Sequence, residues 1–359
     1  MERGKAILMW CVASVLTTLA WSHPGNVDDN GGHLARETRL YHCHHDDCLL
    51  PATDPQPRAL SLVSFNIQFL GNGKHRDNSA LAALVADHDV VVVQELVAPP
   101  YAGQFPNGND YRPDAEAAAF FEAMAAEGFA YVLSEEDTGT GDRIHLNSTA
   151  TEWWVAFYKA DAVQPAPDLP HGYLASDRSN HPDYERVPYA FSFRAGEGLS
   201  DFVVISVHLK PGDRAGDTAR RQRELAAIAD WIDANDDIER DFFVVGDMNF
   251  EDCAEIDAIV PASLHALNQG HDCQMTNTNV KGPRPYDNIL IPHDRETEFG
   301  VWPTLSVIDL IEAMRNVWAN TVGGPYPGDP YDHNRFRARY SDHHPIVIRM
   351  GVAADDDGS

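Results

Sequence analysis

The sequence predicts a large α/β domain with two packed β-sheets. Apolar runs of strand length alternate with segments of helical periodicity between residues 60 and 350, and neither a repeat nor a convincing linker interrupts them. The run Val90–Val93 indicates a strand that is buried on both faces, as in the centre of a sheet. The length of 359 residues, 43% of them hydrophobic, is enough for one such domain or for two ordinary ones.

The predicted domain opens with a strand, a helix and a second strand. The strand over 60–69 precedes a helix over 77–86, which Asp77, Asn78 or Ser79 is placed to cap. The other predicted helices cover 114–127 and 218–234. The strands that follow the first are 89–94, 129–133, 152–158, 187–193, 202–209, 242–245, 287–291 and 346–350.

The first 22 residues have the pattern of a secretory signal peptide. A short charged start precedes an uncharged, mostly apolar run over 6–21, and Ala20-Trp21-Ser22 offers small residues at the cleavage positions. The run is shorter than the ~20 residues of a membrane-spanning helix. We therefore expect a secreted protein, extracellular or periplasmic, without stable membrane association. A polar arm over 23–59 and an acidic tail over 352–359 flank the main domain, 60–351.

The cysteines agree with a secreted protein. Of the 5 cysteines, Cys11 lies in the signal-like run, and the even number that is left predicts disulfides in an oxidising compartment. Sequence order favours Cys43–Cys48 and Cys253–Cys273, although other pairings are open. The histidines between Cys43 and Cys48 are an alternative soft-metal site, but the oxidising compartment favours a small disulfide loop.

The charge of the chain bears on its partners. The formal net charge is −28 and the pI is about 4.8, which argues against a protein that coats nucleic acid or anionic lipid through bulk charge. An enzyme that contacts phosphates through a local basic patch remains compatible with this acidity. The sequence leaves open whether the acidic loops hold a structural Ca²⁺ ion.

The stretch Gly246-Asp247-Met248-Asn249 directly follows the apolar run 242–245. A carboxylate and an amide at a strand end suit a hard cation, a phosphate oxygen or a positioned water. The same residue types also favour an ordinary turn, so this motif does not decide alone. Asn66 lies within the first predicted strand, and further polar side chains lie at or just before the ends of other strands: Glu95, Glu152, His208, Asp287, Asp342 and His343. This ordered set indicates that a sheet delivers carboxylates, amides and histidines to one edge.

These residues lie in motifs that resemble the endonuclease/exonuclease/phosphatase superfamily, and among its members the secreted pancreatic-type deoxyribonucleases. The motifs are Ser64-Phe65-Asn66-Ile67, Gln94-Glu95, His208-Leu209-Lys210, Gly246-Asp247-Met248-Asn249, Tyr286-Asp287-Asn288-Ile289-Leu290 and Ser341-Asp342-His343-His344-Pro345-Ile346. The resemblance implies a four-layered α/β sandwich, with two mixed sheets face to face and helices outside. It also implies metal-dependent hydrolysis of a phosphoester.

The resemblance further implies a metal site. Glu95 would be the main ligand, with Asn66 and Asp342 beside it. Asp247 would orient or deprotonate the attacking water, and Asn249 would hold a phosphate oxygen. Mg²⁺ or Mn²⁺ is the expected ion, since Mg²⁺ keeps several waters and needs few carboxylates.

Two histidines are expected on either side of the phosphorus. The resemblance pairs His208 with Glu152 and His343 with Asp287. A carboxylate favours the charged form of its histidine and fixes the ring orientation. Arg186 is a weaker match to a phosphate-contacting arginine at the start of a strand.

Basic residues near these motifs bear on the substrate. Arg335, Arg337 and Arg339 alternate before Ser341, so in an extended segment they would face one way beside the site. A second cluster is Arg220, Arg221 and Arg223. Either cluster is a solvated surface run or a track for a polyanion. The sequence therefore predicts a secreted, monomeric phosphodiesterase, an endonuclease that acts on DNA with limited sequence preference.

Other readings remain open at this point. A sphingomyelinase-like lipid phosphodiesterase would need an exposed apolar surface, for which Trp153-Trp154 is a candidate, although an apolar strand favours burial of both. An inositol phosphatase is disfavoured because Asn288 follows Asp287 where those enzymes usually carry arginine. An inactive binding relative would have no need for the complete set of polar residues. Ala150 and Leu96 depart from the pancreatic-type pattern at positions of DNA contact.

Overall fold

The structure is a computed structural model that describes residues 32–34, 41–43, 59–73, 75–139, 145, 151–178, 181–293, 299 and 303–355. The chain divides into a unit over 1–56 and a unit over 57–359. In the first unit, strand β1 (Gly32–Leu34) pairs antiparallel with β2 (Tyr41–Cys43). The predicted signal peptide, the Cys43–Cys48 pair and the alternative metal site beside it lie outside the side chains that the structure describes.

The second unit contains the remaining strands and all helices of the described residues. Its strands are β3 (Ala59–Leu70), β4 (Val90–Leu96), β5 (Gly103–Gln104), β6 (Asp110–Tyr111), β7 (Phe129–Leu133), β8 (Trp153–Lys159), β9 (Gln164–Pro165), β10 (Gly172–Tyr173), β11 (Tyr189–Arg194), β12 (Asp201–His208), β13 (Phe242–Asp247), β14 (Leu264–Ala266), β15 (Asp287–Pro292), β16 (Ser306–Val307) and β17 (Ile346–Gly351). Its helices are α1 (Asn78–Leu84), α2 (Ala115–Ala126), α3 (Ala215–Asp233), α4 (Cys253–Ile259), α5 (Leu310–Thr321) and α6 (His333–Arg337).

Two large mixed sheets form the frame of this unit. The first has the order β16-β17-β3-β4-β8-β7, and the second has the order β10-β11-β12-β13-β15-β14 with β9 beside β11. Each sheet has a central parallel pair, β3 with β4 and β12 with β13, whereas the other pairs are antiparallel. The predicted fold class, a sandwich of two mixed sheets, is confirmed.

Three clusters of buried apolar side chains pack the sheets against each other and against the helices. One cluster joins side chains from both sheets, such as Val92, Trp154, Val204 and Val245. A second cluster packs the other face of the first sheet against α1, α2, α5 and α6, and a third packs the second sheet against α3 and α4. Each sheet is therefore covered on both faces, which accounts for the continuous apolar runs in its central strands.

The strand and helix predictions agree with the structure over most of their lengths. Of the alternative caps for α1, Asp77 is the one whose side chain accepts a hydrogen bond, from the backbone N–H of Ala80 at 3.3 Å. Helices α4, α5 and α6 were not predicted from the sequence, nor were the short strands β1, β2, β5, β6, β9, β10, β14 and β16. None of the helices in the described residues is long and apolar enough to cross a bilayer.

The tryptophans of β8 are buried rather than exposed. Trp153 and Trp154 retain 3% and 0% of their accessible surface, and the Trp154 indole donates a hydrogen bond to the carbonyl of Val187. This pair therefore does not supply the exposed apolar surface that a lipid phosphodiesterase would need.

Gly246 lets the two central strands of the second sheet approach closely. Its φ is +145°, and a Cβ at this position would lie 2.0 Å from the carbonyl oxygen of Val207. Only glycine fits, because any side chain would collide with the backbone of β12. The close approach is directly followed by the pair that places His208 of β12 opposite Asp247 of β13.

Candidate active site

Strand register brings the polar strand ends together. His208, Asp247 and Asp287 lie opposite one another on the neighbouring strands β12, β13 and β15. In the other sheet, the ladder between β3 and β4 is interrupted after Asn66, and Glu95 adopts a left-handed φ of 63°. In a regular strand, successive side chains point to opposite faces of the sheet. The irregular backbone here interrupts that alternation, so the direction of the Glu95 side chain does not follow it.

Each of the expected histidine–carboxylate pairs is present. The Nδ1 atom of His208 lies 2.6 Å from Oε1 of Glu152, and Nδ1 of His343 lies 2.8 Å from Oδ2 of Asp287. All these side chains are buried. Since Nδ1 of each ring contacts a carboxylate, Nε2 is the atom left to face a substrate.

Asp247 lies between the two histidines. Its Oδ2 atom is 3.6 Å from Nε2 of His208 and 3.6 Å from Nε2 of His343. Oδ1 accepts a hydrogen bond from the backbone N–H of Asn249 at 2.9 Å. One carboxylate therefore lies between two imidazole rings, which is a suitable position for orienting a water molecule.

Asn66 joins the carboxylates of the two sheets. Its Nδ2 donates to Oε1 of Glu95 at 3.0 Å and to Oδ2 of Asp247 at 2.9 Å. Its Oδ1 accepts from the backbone N–H of Gln68 at 3.0 Å, which fixes the orientation of the amide. Asn66 therefore presents a donor to both carboxylates, and the metal-ligand role expected for it stays a prediction.

Three carboxylates and two histidines form two groups that are compatible with a cation. Ligand atoms of Glu95, His208 and Asp247 lie within 4.8 Å of one another, as do those of Asp247, Asp287 and His343. Burial raises the pKa of Glu95; His208 lowers it, whereas Glu152 and Asp342 raise it further. A bound cation would relieve this clustering of negative charge, so the residues present fit a divalent metal.

Asp342, the other expected carboxylate ligand, lies beside this group. Its Oδ2 accepts a hydrogen bond from Nε2 of Gln68 at 2.8 Å, and Nη1 of Arg337 lies 3.5 Å from the same oxygen. Within the part of the chain that the structure describes, its Oδ1 is buried and has no hydrogen-bond partner. A buried carboxylate oxygen without a donor is suited to a cation.

The expected phosphate contacts line the same cleft. Asn249 donates from Nδ2 to the carbonyl of Leu209 at 3.1 Å, which leaves its second amide hydrogen for a substrate. Arg186 lies three residues before β11, and its Nε contacts Oε1 of Glu152 at 2.7 Å. Both side chains border a cleft of about 660 Å³ together with Glu95, His208 and His343.

The prediction that Arg335, Arg337 and Arg339 share one face of an extended segment is wrong. Residues 333–337 form helix α6, because Asp332 caps it and Phe336 is buried beneath it. Arg335 lies over the ring of Trp318, and Arg339 pairs with Asp77 at 2.7 Å. Only Arg337 of these three points to a site residue, Asp342.

The second basic cluster is structural for the most part. Arg221 is fully buried on α3, where its guanidinium pairs with Glu255 at 2.6 Å and donates to the carbonyls of Lys210 and Gly212. Arg220 donates to the carbonyl of His181 at 2.9 Å. These contacts do not form the continuous polyanion track that the sequence allowed.

Glu224 is a supporting residue that was not predicted from the sequence. It is buried on α3, and its carboxylate accepts from the backbone N–H groups of Glu185 at 2.8 Å and Lys210 at 2.9 Å. Burial raises its pKa to about 7. Glu224 thereby fixes the segments next to Arg186 and His208. Its position could have been recognised in the sequence, because a charged residue on the apolar face of a predicted helix indicates a buried polar contact.

Both histidines are favoured in the charged form. Burial alone would lower the pKa of His343, but Asp287 and Asp247 raise it well above its usual value. The pKa of His208 is also raised, because Glu152 and Asp247 outweigh burial and Arg186. Burial would raise the pKa of Glu152, but His208 and Arg186 lower it to about 2. This contribution stabilises the fold above about pH 4.5 and is lost as the pH falls through about 2.

Glu152→Gln is expected to move the pH profile of hydrolysis. The substitution removes a negative charge that raises the pKa of His208, so the charged imidazole is lost at a lower pH. The alkaline limb of kcat/KM should move down by about one pH unit or more. The control is Glu122→Gln on the exposed face of α2. An unchanged profile in Glu152→Gln would mean that the pair does not set the charge of His208.

Comparison with known protein families identifies the family of this chain. The sequence profile of the endonuclease/exonuclease/phosphatase family matches residues 63–343, and the chain belongs to this family. It is an enzyme of a family whose members are metal-dependent phosphodiesterases or nucleases.

Individual proteins that are similar to this chain include one named relative and several solved structures. The chain is similar to a protein named deoxyribonuclease from Thioalkalivibrio sp. (strain K90mix), with 24% identity over 298 residues that cover 80% of this chain and 70% of the relative. In fold it is similar to the human Nocturnin catalytic domain with bound sulfate anion, with a TM-score of 0.50, 14% identity, and coverage of 82% of this chain and 95% of that one. A family protein from Leptotrichia buccalis C-1013-b has a TM-score of 0.48 and 15% identity, with coverage of 81% and 99%.

Proposed function

We propose that the protein is a secreted endonuclease that hydrolyses DNA with limited sequence preference and depends on a divalent metal, Mg²⁺ or Mn²⁺. The observation that carries this proposal is the position of Asp247, whose Oδ2 lies 3.6 Å from Nε2 of each carboxylate-paired histidine. A relative named deoxyribonuclease supports nucleic acid as the substrate class.

The carboxylates of Glu95 and Asp342 would hold the metal beside Asp247. When bound, such an ion neutralises charge on a phosphate oxygen and lowers the pKa of a coordinated water. Glu95 is held in place by Asn66 and by the backbone N–H of Phe69, which donates to its Oε2 at 2.8 Å. The ligands are thus preorganised by the irregular end of β3.

The remaining residues bind the phosphate and move the protons. Asp247 accepts a hydrogen bond from the attacking water and receives its proton as the water oxygen bonds to phosphorus. The ester P–O bond then breaks, and one of the two charged imidazoles gives a proton from Nε2 to the leaving oxygen. The charged imidazoles of His208 and His343 donate from Nε2 to phosphate oxygens, where negative charge develops. Glu152 and Asp287 keep both rings oriented and charged. Asn249 and Arg186 add donors at the border of the cleft.

Secretion is supported by the disulfide between Cys253 and Cys273 as well as by the signal-like N-terminus. The pairing agrees with the sequence prediction. The bond ties the start of α4, which follows Asn249, to the segment that leads to Asp287. Closure of this loop restricts the unfolded chain on either side of the site.

A plasmid-nicking assay tests the proposed function. Wild-type protein should nick supercoiled plasmid with Mg²⁺ or Mn²⁺ and lose this activity with a chelator. His208→Ala should slow nicking by at least about 100-fold, because it removes a positioned proton donor. His271→Ala is the matched control, since that histidine is exposed and lies outside the cleft.

The outcomes separate the proposed function from other phosphodiesterases. Metal-dependent nicking that His208→Ala abolishes and His271→Ala retains would support a secreted endonuclease. A folded wild-type protein that binds metal but nicks no plasmid would contradict it. Sphingomyelin would be the next substrate to assay.

A further inference from the structure

Phe69 is an exposed apolar side chain at the edge of the catalytic cleft. It lies near the end of β3, where the preceding residues 60–68 are all buried, and 39% of its surface is accessible. Its side chain borders the cleft together with Glu95, Asp247 and His343. Burial of an apolar ring is favourable, so its exposure at this position requires an explanation.

The backbone at Phe69 is in the left-handed region. Its φ is 52°, and the preceding residue, Gln68, has a φ of 56°. A bulky side chain rarely adopts this strained conformation, and such residues cluster at functional sites. The strained pair coincides with the break in the β3–β4 ladder between Asn66 and Leu70.

Arg76 holds this strained segment in place. Its buried guanidinium donates to the carbonyls of Ile67, Gln68 and Tyr340, and it pairs with Glu116 at 2.6 Å. The backbone N–H of Phe69 donates to Glu95, and its carbonyl accepts from the N–H of Asn72 at 2.9 Å. The turn therefore fixes the position of a metal-ligand carboxylate through backbone atoms.

The turn itself does not require an aromatic side chain. Every residue except proline supplies the N–H that Glu95 accepts, and glycine or asparagine adopts a φ near 52° at a lower energetic cost. The backbone contacts of this turn therefore do not explain why an aromatic ring is present at position 69. Its exposure next to the reacting groups indicates a role in contacting the substrate.

We infer that the ring of Phe69 stacks on a nucleobase adjacent to the scissile phosphate, an inference that rests on the proposed nuclease function. The rest of the cleft offers mainly polar and charged groups, such as Asn277, Asn279, Arg284 and Glu251, which do not suit a lipid chain. Tyr286 also borders the cleft but is less exposed, and the exposed ring of Phe69 suits the π-face of a base. Stacking is tolerant of sequence, because every base has such a face, and this agrees with limited sequence preference.

The test compares cleavage at one phosphate with and without its neighbouring base. Labelled duplex oligonucleotides carry either an intact nucleotide or an abasic tetrahydrofuran unit on the 5′ or the 3′ side of that phosphate, and a sequencing gel resolves each cut. Phe69→Ala should reduce kcat/KM about 10- to 100-fold on the intact duplex and less than about 3-fold when the stacked base is missing. Phe69→Trp should retain most activity, and Phe69→Leu should lose most of it.

A second readout distinguishes stacking from a structural role. The Mg²⁺ concentration for half-maximal activity should stay unchanged in all Phe69 variants, because the N–H that Glu95 accepts is present in each. Tyr131→Ala, an exposed aromatic outside the cleft, is the matched control. If Phe69→Ala loses the same factor on intact and both abasic duplexes, or requires more Mg²⁺, the stacking inference is overturned while the nuclease function stands. If wild-type protein cleaves no duplex, both the proposed function and the inference fail.

Discussion

Asp247→Asn is expected to lower kcat about 1,000- to 10,000-fold. The amide cannot accept a proton, and removal of the charge lowers the pKa of both His208 and His343. In the wild-type protein, one oxygen of Asp247 accepts from the Asn66 amide and the other accepts from the N–H of Asn249. Asparagine replaces one of these oxygens by an NH₂ group, which would then face a donor instead of an acceptor. The substitution thus removes the proton acceptor and weakens both donors.

Single-turnover hydrolysis at saturating metal and substrate measures this effect on the chemical step. Asp213→Asn is the matched control, because Asp213 borders the same cleft but does not belong to either group of candidate metal-binding residues. It should change kcat less than about 3-fold. A reduction of less than about 10-fold in Asp247→Asn would exclude Asp247 as the base.

Glu95→Gln is expected to reduce activity about 1,000-fold at a fixed, low Mg²⁺ concentration. A metal supplies several kcal/mol of transition-state stabilisation, and 1.36 kcal/mol corresponds to a factor of ten in rate. Glutamine keeps the size of the side chain and one carbonyl oxygen but lacks the charge. Part of the loss should therefore return as the Mg²⁺ concentration is raised.

Metal titrations of activity, together with calorimetric binding of Mn²⁺, measure the change. Glu251→Gln is the matched control: its carboxylate lies at the cleft but pairs with Arg284 at 2.8 Å. This variant should retain the wild-type metal requirement. If Glu95→Gln binds Mn²⁺ as tightly as the wild-type protein, Glu95 is not a metal ligand.

Most of the fold followed from local patterns. Continuous apolar runs such as Val90–Val93 identify central strands, since the two faces of each sheet are covered. The short helices α4 and α6 were missed because their packing depends on a few contacts far apart in sequence. The apolar face of α5 was likewise not recognised, although its buried residues Leu310, Met314 and Trp318 follow helical spacing.

The site could be predicted in part. The chain order of the motifs identified His208, Asp247, Asp287 and His343, because strand ends are where a sheet presents side chains. The arginines before Ser341 were misjudged: alternate spacing implies one face only in an extended segment, and the burial of Phe336 favours a helix instead.

The sequence by itself determined the family, the two-sheet architecture and the residues that carry carboxylates and imidazoles to one edge. The architecture depends on the period of the apolar pattern, and the family and the site residues depend on short motifs that resemble it, so both are local properties of the sequence. Only the tertiary structure decided that Asn66 donates to both Glu95 and Asp247, and that Asp247 lies midway between the histidines. Those contacts join strands of different sheets, so they depend on register and on how the sheets pack. The exposure of Phe69 depends in the same way on a left-handed turn that Arg76 stabilises from outside the strand.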